Sequence, residues 1–243
     1  MNGNVTNNAG QTVRISYNPA TFTGTVVNNG TFKTTSTTAT FAGTFTNNGT
    51  FASDPATNYF ATLAVGPQGA LTGGVGDHFY VSGDLVSAST QTSLWDTGKA
   101  ALHFSGGTGT HTFTISGTDV GASTAGFATN FSWGLVSLAA GDTLSLSDGL
   151  TPGRALYVGA LDLPGGTAEI ASITGNGVNI YYDDTMSANA YLGDATYALA
   201  GGGSLAPAIA NVPEPGSAFL FVAGTVLLAG VRRRRNGDIR HAA

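Results

Sequence analysis

The chain has 243 residues, among them 36 Gly, 8 Pro and no Cys, and only 9% of its residues are charged, against about 25% in an ordinary soluble domain. A hydrophobic fraction of 42% excludes disorder by composition, and the lack of Cys excludes a disulfide scaffold, a thiol nucleophile and a thiolate metal site. Residues 1–231 hold four basic side chains (Arg14, Lys33, Lys99 and Arg154) against thirteen acidic ones, whereas residues 232–243 hold five Arg and one Asp; an acidic body without a basic face is a poor partner for nucleic acid.

Helical surfaces draw on Glu and Lys, and this chain has two of each: Glu169, Glu214, Lys33 and Lys99. Thr, Ser, Asn and Gly stand in their place, the composition of short strands and tight turns. The first fifty residues repeat. TFTGTVVNNGTF at 21–32 returns as TFAGTFTNNGTF at 40–51, and a weaker copy, GNVTNNAG, occupies 3–10. A period near nineteen residues is that of stacked coils, each burying a face on its neighbours. Such coils place Asn28 and Asn29 over Asn47 and Asn48, where side-chain amides can bond along the stack. The competing reading takes N-N-G as a hairpin turn.

Period-two alternation continues along the chain. Phe79 and Val81 alternate in DHFYVSG, Phe113 and Ile115 in HTFTISG, and Leu144 and Leu146 in GDTLSLSDG. Leu156 and Val158 follow, then Val178, Ile180 and Tyr182, then Tyr197 and Leu199. No helical period of useful length precedes residue 205. The expected fold is all-β: a right-handed parallel β-solenoid over residues 1–205 with coils of roughly 19–25 residues. A β-sandwich is the alternative.

The candidate chemistry is sparse. Walker, Rossmann and nucleophile-elbow motifs are absent from the sequence. A glycosidase needs two carboxylates across a groove; Asp183-Asp184 is the only adjacent acidic pair, and strand neighbours face opposite ways. A lyase needs a basic catalyst beside a calcium-binding Asp cluster, and Arg14, Lys33, Lys99 and Arg154 read as lacking such local Asp company. A groove that gathered three or more acids with Arg154 or Lys99 would favour an enzyme. GGVGD at 73–77 reads as a turn, since its Asp arrives one place early for a calcium nonapeptide. His78, His103 and His111 lack paired metal-ligand spacing and read as surface or turn residues. The pairs Thr21/Thr23 and Thr112/Thr114 read as solvated strand faces. Trp95, Trp133, Tyr181 and Tyr182 are candidates for stacking on sugars, with core packing the commoner use. The expectation is a non-enzyme without cofactor or metal.

The C-terminus carries the most information. Residues 206–215 form a linker ending in Val212, Pro213, Glu214 and Pro215. Residues 216–231 are uncharged, and Arg232, Arg233, Arg234 and Arg235 open a basic tail over 232–243. As a helix, the sixteen uncharged residues span about 24 Å, slightly under the roughly 30 Å hydrocarbon core, and snorkelling Arg can close the difference. The Arg cluster holds its end on the cytoplasmic side. The prolines cannot continue the helix upstream and leave an extended segment that a processing enzyme can grip.

Motif, apolar run and Arg cluster, in this order at the chain terminus, resemble the PEP-CTERM sorting signal of Gram-negative bacteria. The resemblance covers about residues 211–235. It implies export, transient retention in the inner membrane by a transmembrane helix over 216–231, and recognition of Pro213, Glu214 and Pro215 by an exosortase. Arg232 to Arg235 match the stop-transfer cluster. The mature protein then reaches the cell surface or extracellular matrix, where such proteins accompany exopolysaccharide and biofilm. Residues 178–205 also resemble the terminal coils that precede this signal in β-helical surface proteins. MNGNVTNNAGQTVRISYNP has neither a basic start nor an apolar core, so a start upstream of Met1, or an origin in a longer solenoid whose first coil here frays, is expected. The expected role is an exported structural or adhesion protein. A surface polysaccharide-degrading enzyme and an unprocessed tail-anchored membrane protein are the alternatives.

Overall fold

The chain folds as a parallel β-solenoid of about nine turns, seen in a computed structural model that describes residues 1–107, 109–149 and 152–209. Three ladders of strands build one unit, Met1–Ile209, the second of them confined to its N-terminal coils. The first begins with Val5–Asn7 and Val26–Asn28, continues through the second halves of Thr38–Asn47 and Thr57–Val65, and ends at Ile173–Thr174. The second stacks Thr12–Ser16, Thr31–Thr35, Thr50–Ser53 and Ala70–Thr72. The third begins at Ala20–Phe22, takes the first halves of Thr38–Asn47 and Thr57–Val65, and then runs through His78–Val81, Thr97–Phe104, Trp133–Leu138, Ala155–Asp162 and Asn179–Asp183 to Ser204–Ala208. Thr38–Asn47 and Thr57–Val65 belong to two ladders because their register breaks between Phe41 and Thr44, where the strands bend round a corner.

Parallel pairing decides against the β-sandwich, whose strands pair antiparallel. Among the described strands, the one antiparallel pair sets Tyr197–Ala198 against Ser204 and Leu205. There Gly201, Gly202 and Gly203 all take positive φ, and the hairpin covers part of the last strand's edge. That strand, Ser204–Ala208, spans the expected boundary at 205.

Alternation drives each strand. In Thr31–Thr35, Phe32 and Thr34 point inward and Thr31, Lys33 and Thr35 outward. Parallel stacking then lays like on like. Phe22, Phe41 and Phe60 stack at centroid distances of 5.2 and 4.9 Å, Phe32 stacks on Phe51 at 5.8 Å, and Phe41 meets Phe45 edge-on at 4.6 Å. Each such pair adds about 0.5–1.5 kcal/mol beyond its buried area.

The Asn rows form as the repeat predicts. Asn7 Nδ2 donates to Asn28 Oδ1 and Asn28 Nδ2 to Asn47 Oδ1, both at 2.7 Å and fully inside. Outside them Asn48 Nδ2 donates to Asn29 Oδ1 at 2.9 Å. The weak copy at 3–10 is the coil below, with Asn7 paired to Asn28. The Gly of N-N-G has a reason unrelated to a hairpin. Neither Gly30 nor Gly49 has a positive φ, but a Cβ on Gly49 would sit 2.1 Å from the carbonyl oxygen of Gly30 one coil below.

The nineteen-residue coil does not persist. Thr12, Thr31 and Thr50 stack at that interval, but Ala101 pairs with Leu135 and Phe113 with Leu146, beyond the expected upper limit of 25. The excess is a strap at 117–131 that includes a short 3₁₀ helix, Thr124–Phe127. Two further 3₁₀ helices, Gly166–Ser172 and Ser187–Leu192, lie where the sequence shows no helical period. The C-terminal helix expected at 216–231 lies outside the described residues.

Candidate functional site

Two adjoining cavities on the outer surface share Val75 and Lys99, making one groove that crosses successive coils. Its first part, about 500 Å³, is polar and lined by Lys33, Asp54, Thr72, Asp77, Asp96 and Lys99. Its second part, about 470 Å³, is lined mainly by apolar groups, including Gly98, Gly134, Gly159, Phe127 and Met186.

The floor of the second part is a glycine row. Trp133 pairs with Val158, so Gly159 follows Gly134 from coil to coil, while the register of Thr97–Phe104 shifts after Thr97 and sets Gly134 over the Lys99 backbone beside Gly98. A Cβ on Gly134 would come within 2.7 Å of the Lys99 backbone, and one on Gly159 within 2.5 Å of the Gly134 carbonyl oxygen. Two folded-back segments flank this floor. In the strap, the Tyr157 hydroxyl donates to the Gly121 carbonyl at 2.7 Å and accepts from Val120 N–H at 3.0 Å. Gly126 lies against the same ring, and a Cβ there would fall 1.9 Å from it. Burial pushes Tyr157 up to about 12, opposed by the bond from Val120. On the other side Asn189, 2% exposed, donates to the carbonyls of Gly159 and Asp183 at 2.7 Å and accepts from Leu161 N–H at 2.9 Å.

The polar part does gather three acids with Lys99, and corrects the expectation that no base has acidic company. Lys33 Nζ lies 2.7 Å from Asp54. Its hydrogen bond, then its charge, holds that carboxyl below the usual range. Asp77 is 2% exposed and spends both oxygens on backbone: Ala56 N–H donates to Oδ1 at 2.8 Å and Gly74 N–H to Oδ2 at 2.7 Å. This bonding makes GGVGD a turn. Asp96 and Lys99 are exposed. General acid catalysis by a carboxyl needs a raised pKa, and that of Asp54 is lowered.

A second constellation lies on the outward row of the third ladder. Tyr59 stacks on Tyr80 at 4.8 Å and Tyr80 on His103 at 4.4 Å. His78 Nδ1 lies 3.0 Å from His103 Nε2, and His103 Nδ1 lies 2.7 Å from Ser137 Oγ. Burial first, then the neighbouring His78, brings His103 down to about 4, with Asp162 acting the other way. The sequence reading missed this cluster. Its signal was the match of HFYVSG at 78–83 to ALHFSG at 101–106, which sets the coils in register.

The other singled-out residues separate. His111, read as a surface or turn residue, is fully buried: its ring bonds Gly83 O at 3.0 Å and Asp142 at 3.1 Å. Trp95, Trp133, Tyr181 and Tyr182 are all buried and offer no open ring to a sugar; Trp95 Nε1 donates to Thr97 Oγ1 at 2.7 Å. Thr21 stacks on Thr40, but the row continues as Tyr59, and Thr112 pairs with Ser145. Asp183 closes a local turn by accepting from Thr185. Arg154 bonds the Ser116 carbonyl. Val212, Pro213, Glu214, Pro215 and Arg232, Arg233, Arg234 and Arg235 lie outside the described residues. No helix among the described residues is long and apolar enough to cross a membrane.

Fold and groove together define a parallel β-solenoid with an open trench across its coils. No family model, curated protein or solved structure matches the chain.

Proposed function

We propose that the chain is a non-catalytic, exported structural or adhesion protein of the cell surface or extracellular matrix. The observation that carries this reading is the ordered C-terminal set of Pro213-Glu214-Pro215, sixteen uncharged residues and Arg232 to Arg235. On this reading the apolar segment holds the chain in the inner membrane by a transmembrane helix until an exosortase acts at Pro-Glu-Pro. Supporting it, stacked Phe rings and Asn amides fill the early coils, while Thr and Ser, with few Lys or Glu, clothe the outside. The coils wind right-handed, the hand that parallel crossovers take. Exopolysaccharide is the proposed matrix partner, and the groove across the coils suits an extended polymer more than a compact ligand, being open and long.

Mass spectrometry of the C-terminus of protein recovered from the cell surface tests the sorting step. The expected terminus lies upstream of Arg232; mature surface protein that still carries Arg235 overturns it and leaves the tail-anchored reading. One observation favours a second reading, a polysaccharide-degrading enzyme: Asp54, Asp96 and Lys99 share one groove. Chain scission of purified exopolysaccharide that is lost in Asp96→Asn would establish that reading in place of the first.

A further inference from the structure

We propose that His78 and His103 form a binding site for one divalent transition-metal ion of the Cu²⁺, Ni²⁺ or Zn²⁺ class on the outside of the solenoid. The two imidazoles come from adjacent coils, with His78 paired to Ala101 and Tyr80 to His103, and His78 Nδ1 lies 3.0 Å from His103 Nε2. Two nitrogens each about 2.0–2.1 Å from one ion stand about 3 Å apart when their bonds meet near a right angle. The nitrogens therefore already stand at chelating separation, and the two rings turn so that both lone pairs meet the ion.

The surroundings favour the same use. In the tautomer whose Nδ1–H donates to Ser137 Oγ, 2.7 Å away, His103 keeps its Nε2 lone pair turned toward His78. Metal-binding histidines take this arrangement, with the second ring nitrogen tied to a hydrogen-bond partner. Tyr80, stacked 4.4 Å from the His103 ring, restrains its rotation. On binding, bonds form from the ion to His103 Nε2 and His78 Nδ1. The proton on His78 Nδ1 passes to water and His78 Nε2 takes one up, so both rings stay neutral.

No group of three or more metal-holding side chains occurs among the described residues. Water completes the coordination, and the ion exchanges freely. Imidazole ligands select Cu²⁺, Ni²⁺ and Zn²⁺ over Ca²⁺ and Mg²⁺, which want oxygen. The bound ion links two coils and stabilises the fold by mass action. His111 cannot compete, because both its nitrogens are bonded inside the core.

Titration of the full chain with Cu²⁺, followed by calorimetry and electron paramagnetic resonance, tests the site. One ion binds with splitting from two nitrogens, and the melting temperature rises with Cu²⁺. His78→Ala and His103→Ala each lose the two-nitrogen spectrum and weaken binding by at least about tenfold, while Ser137→Ala weakens it with the spectrum kept and His241→Ala changes nothing. Circular dichroism confirms that the variants fold, and His78→Gln and His103→Gln replace any alanine variant that does not. Unchanged binding in both histidine variants, or a spectrum that disappears in His241→Ala, overturns the proposal.

Discussion

Replacing Asn28 by Ala removes the centre of the buried amide row. Asn28 is fully buried. It accepts from Asn7 Nδ2 at 2.7 Å and from Gly30 N–H at 3.3 Å, and it donates to Asn47 Oδ1 at 2.7 Å and to the Thr50 carbonyl at 3.0 Å. Asn7 Nδ2 keeps the carbonyls of Thr31 at 2.9 Å and Gln11 at 3.3 Å. Asn47 Oδ1 and the Thr50 carbonyl lose the donor that Asn28 supplied. A polar group stranded inside costs about 1–3 kcal/mol, so the substitution should destabilise the N-terminal coils by about 2–5 kcal/mol, allowing for two such groups and some relaxation. Asn29→Ala is the internal reference. It breaks one exposed bond of 2.9 Å and should cost no more than about 0.5 kcal/mol. Asn28→Asp sets a second acceptor against Asn47 Oδ1 and the Thr50 carbonyl, so it should be at least as damaging at neutral pH and recover as the carboxyl protonates. Coils unfold in units in a stacked array, so urea denaturation should be paired with amide hydrogen exchange of residues 1–60. If Asn28→Ala were no more destabilising than Asn29→Ala, the buried row would not hold these coils together.

Four further outcomes are expected. Gly49→Ala forces a methyl to within 2.1 Å of the Gly30 carbonyl and should cost about 1–3 kcal/mol by overpacking, whereas Gly74→Ala, with nothing within 4 Å, should stay within about 0.5 kcal/mol in the same thermal melt. Gly126→Ala should lift the strap from Tyr157 and speed hydrogen exchange at Val120 N–H; unchanged protection there contradicts the packing described. His103 sits at about 4 in the folded chain and near 6.5 unfolded, so its contribution is complete above about pH 6.5 and fades as pH falls toward 4, because the unfolded chain takes the proton first. His103→Gln should flatten the stability profile in that window, and a slope equal to wild type would count against the assignment. Alanine at Pro213, Glu214 and Pro215 should leave an uncleaved, membrane-retained form on fractionation; surface release equal to wild type would remove the exosortase from the account.

The early coils were legible in the sequence because most of their strands recur at one interval, as in Thr12, Thr31 and Thr50, although Val5 to Val26 spans two residues more. When strands stack in parallel at one interval, residue i lies over residue i+19. The repeat therefore foretells that Phe22 lies under Phe41 and Asn28 under Asn47 before any coordinate is known. Alternation at Phe79, Phe113, Leu144, Leu156 and Ile180 likewise marks which side of each strand turns inward, since burial follows the two-residue period of the pleat. Tertiary structure decided the rest. Beyond residue 70 the coils lengthen unequally, and the pairing that sets Gly134 between the Lys99 backbone and Gly159 follows from which apolar strands meet in the core rather than from a fixed spacing. The two segments flanking the trench come from excursions tied down by Tyr157 and Asn189, contacts between residues some 30 or more positions apart. His111 shows the same limit: it shares the inward parity of Phe113 and Ile115, but only the fold supplies the Gly83 carbonyl and Asp142 that let a polar ring face in.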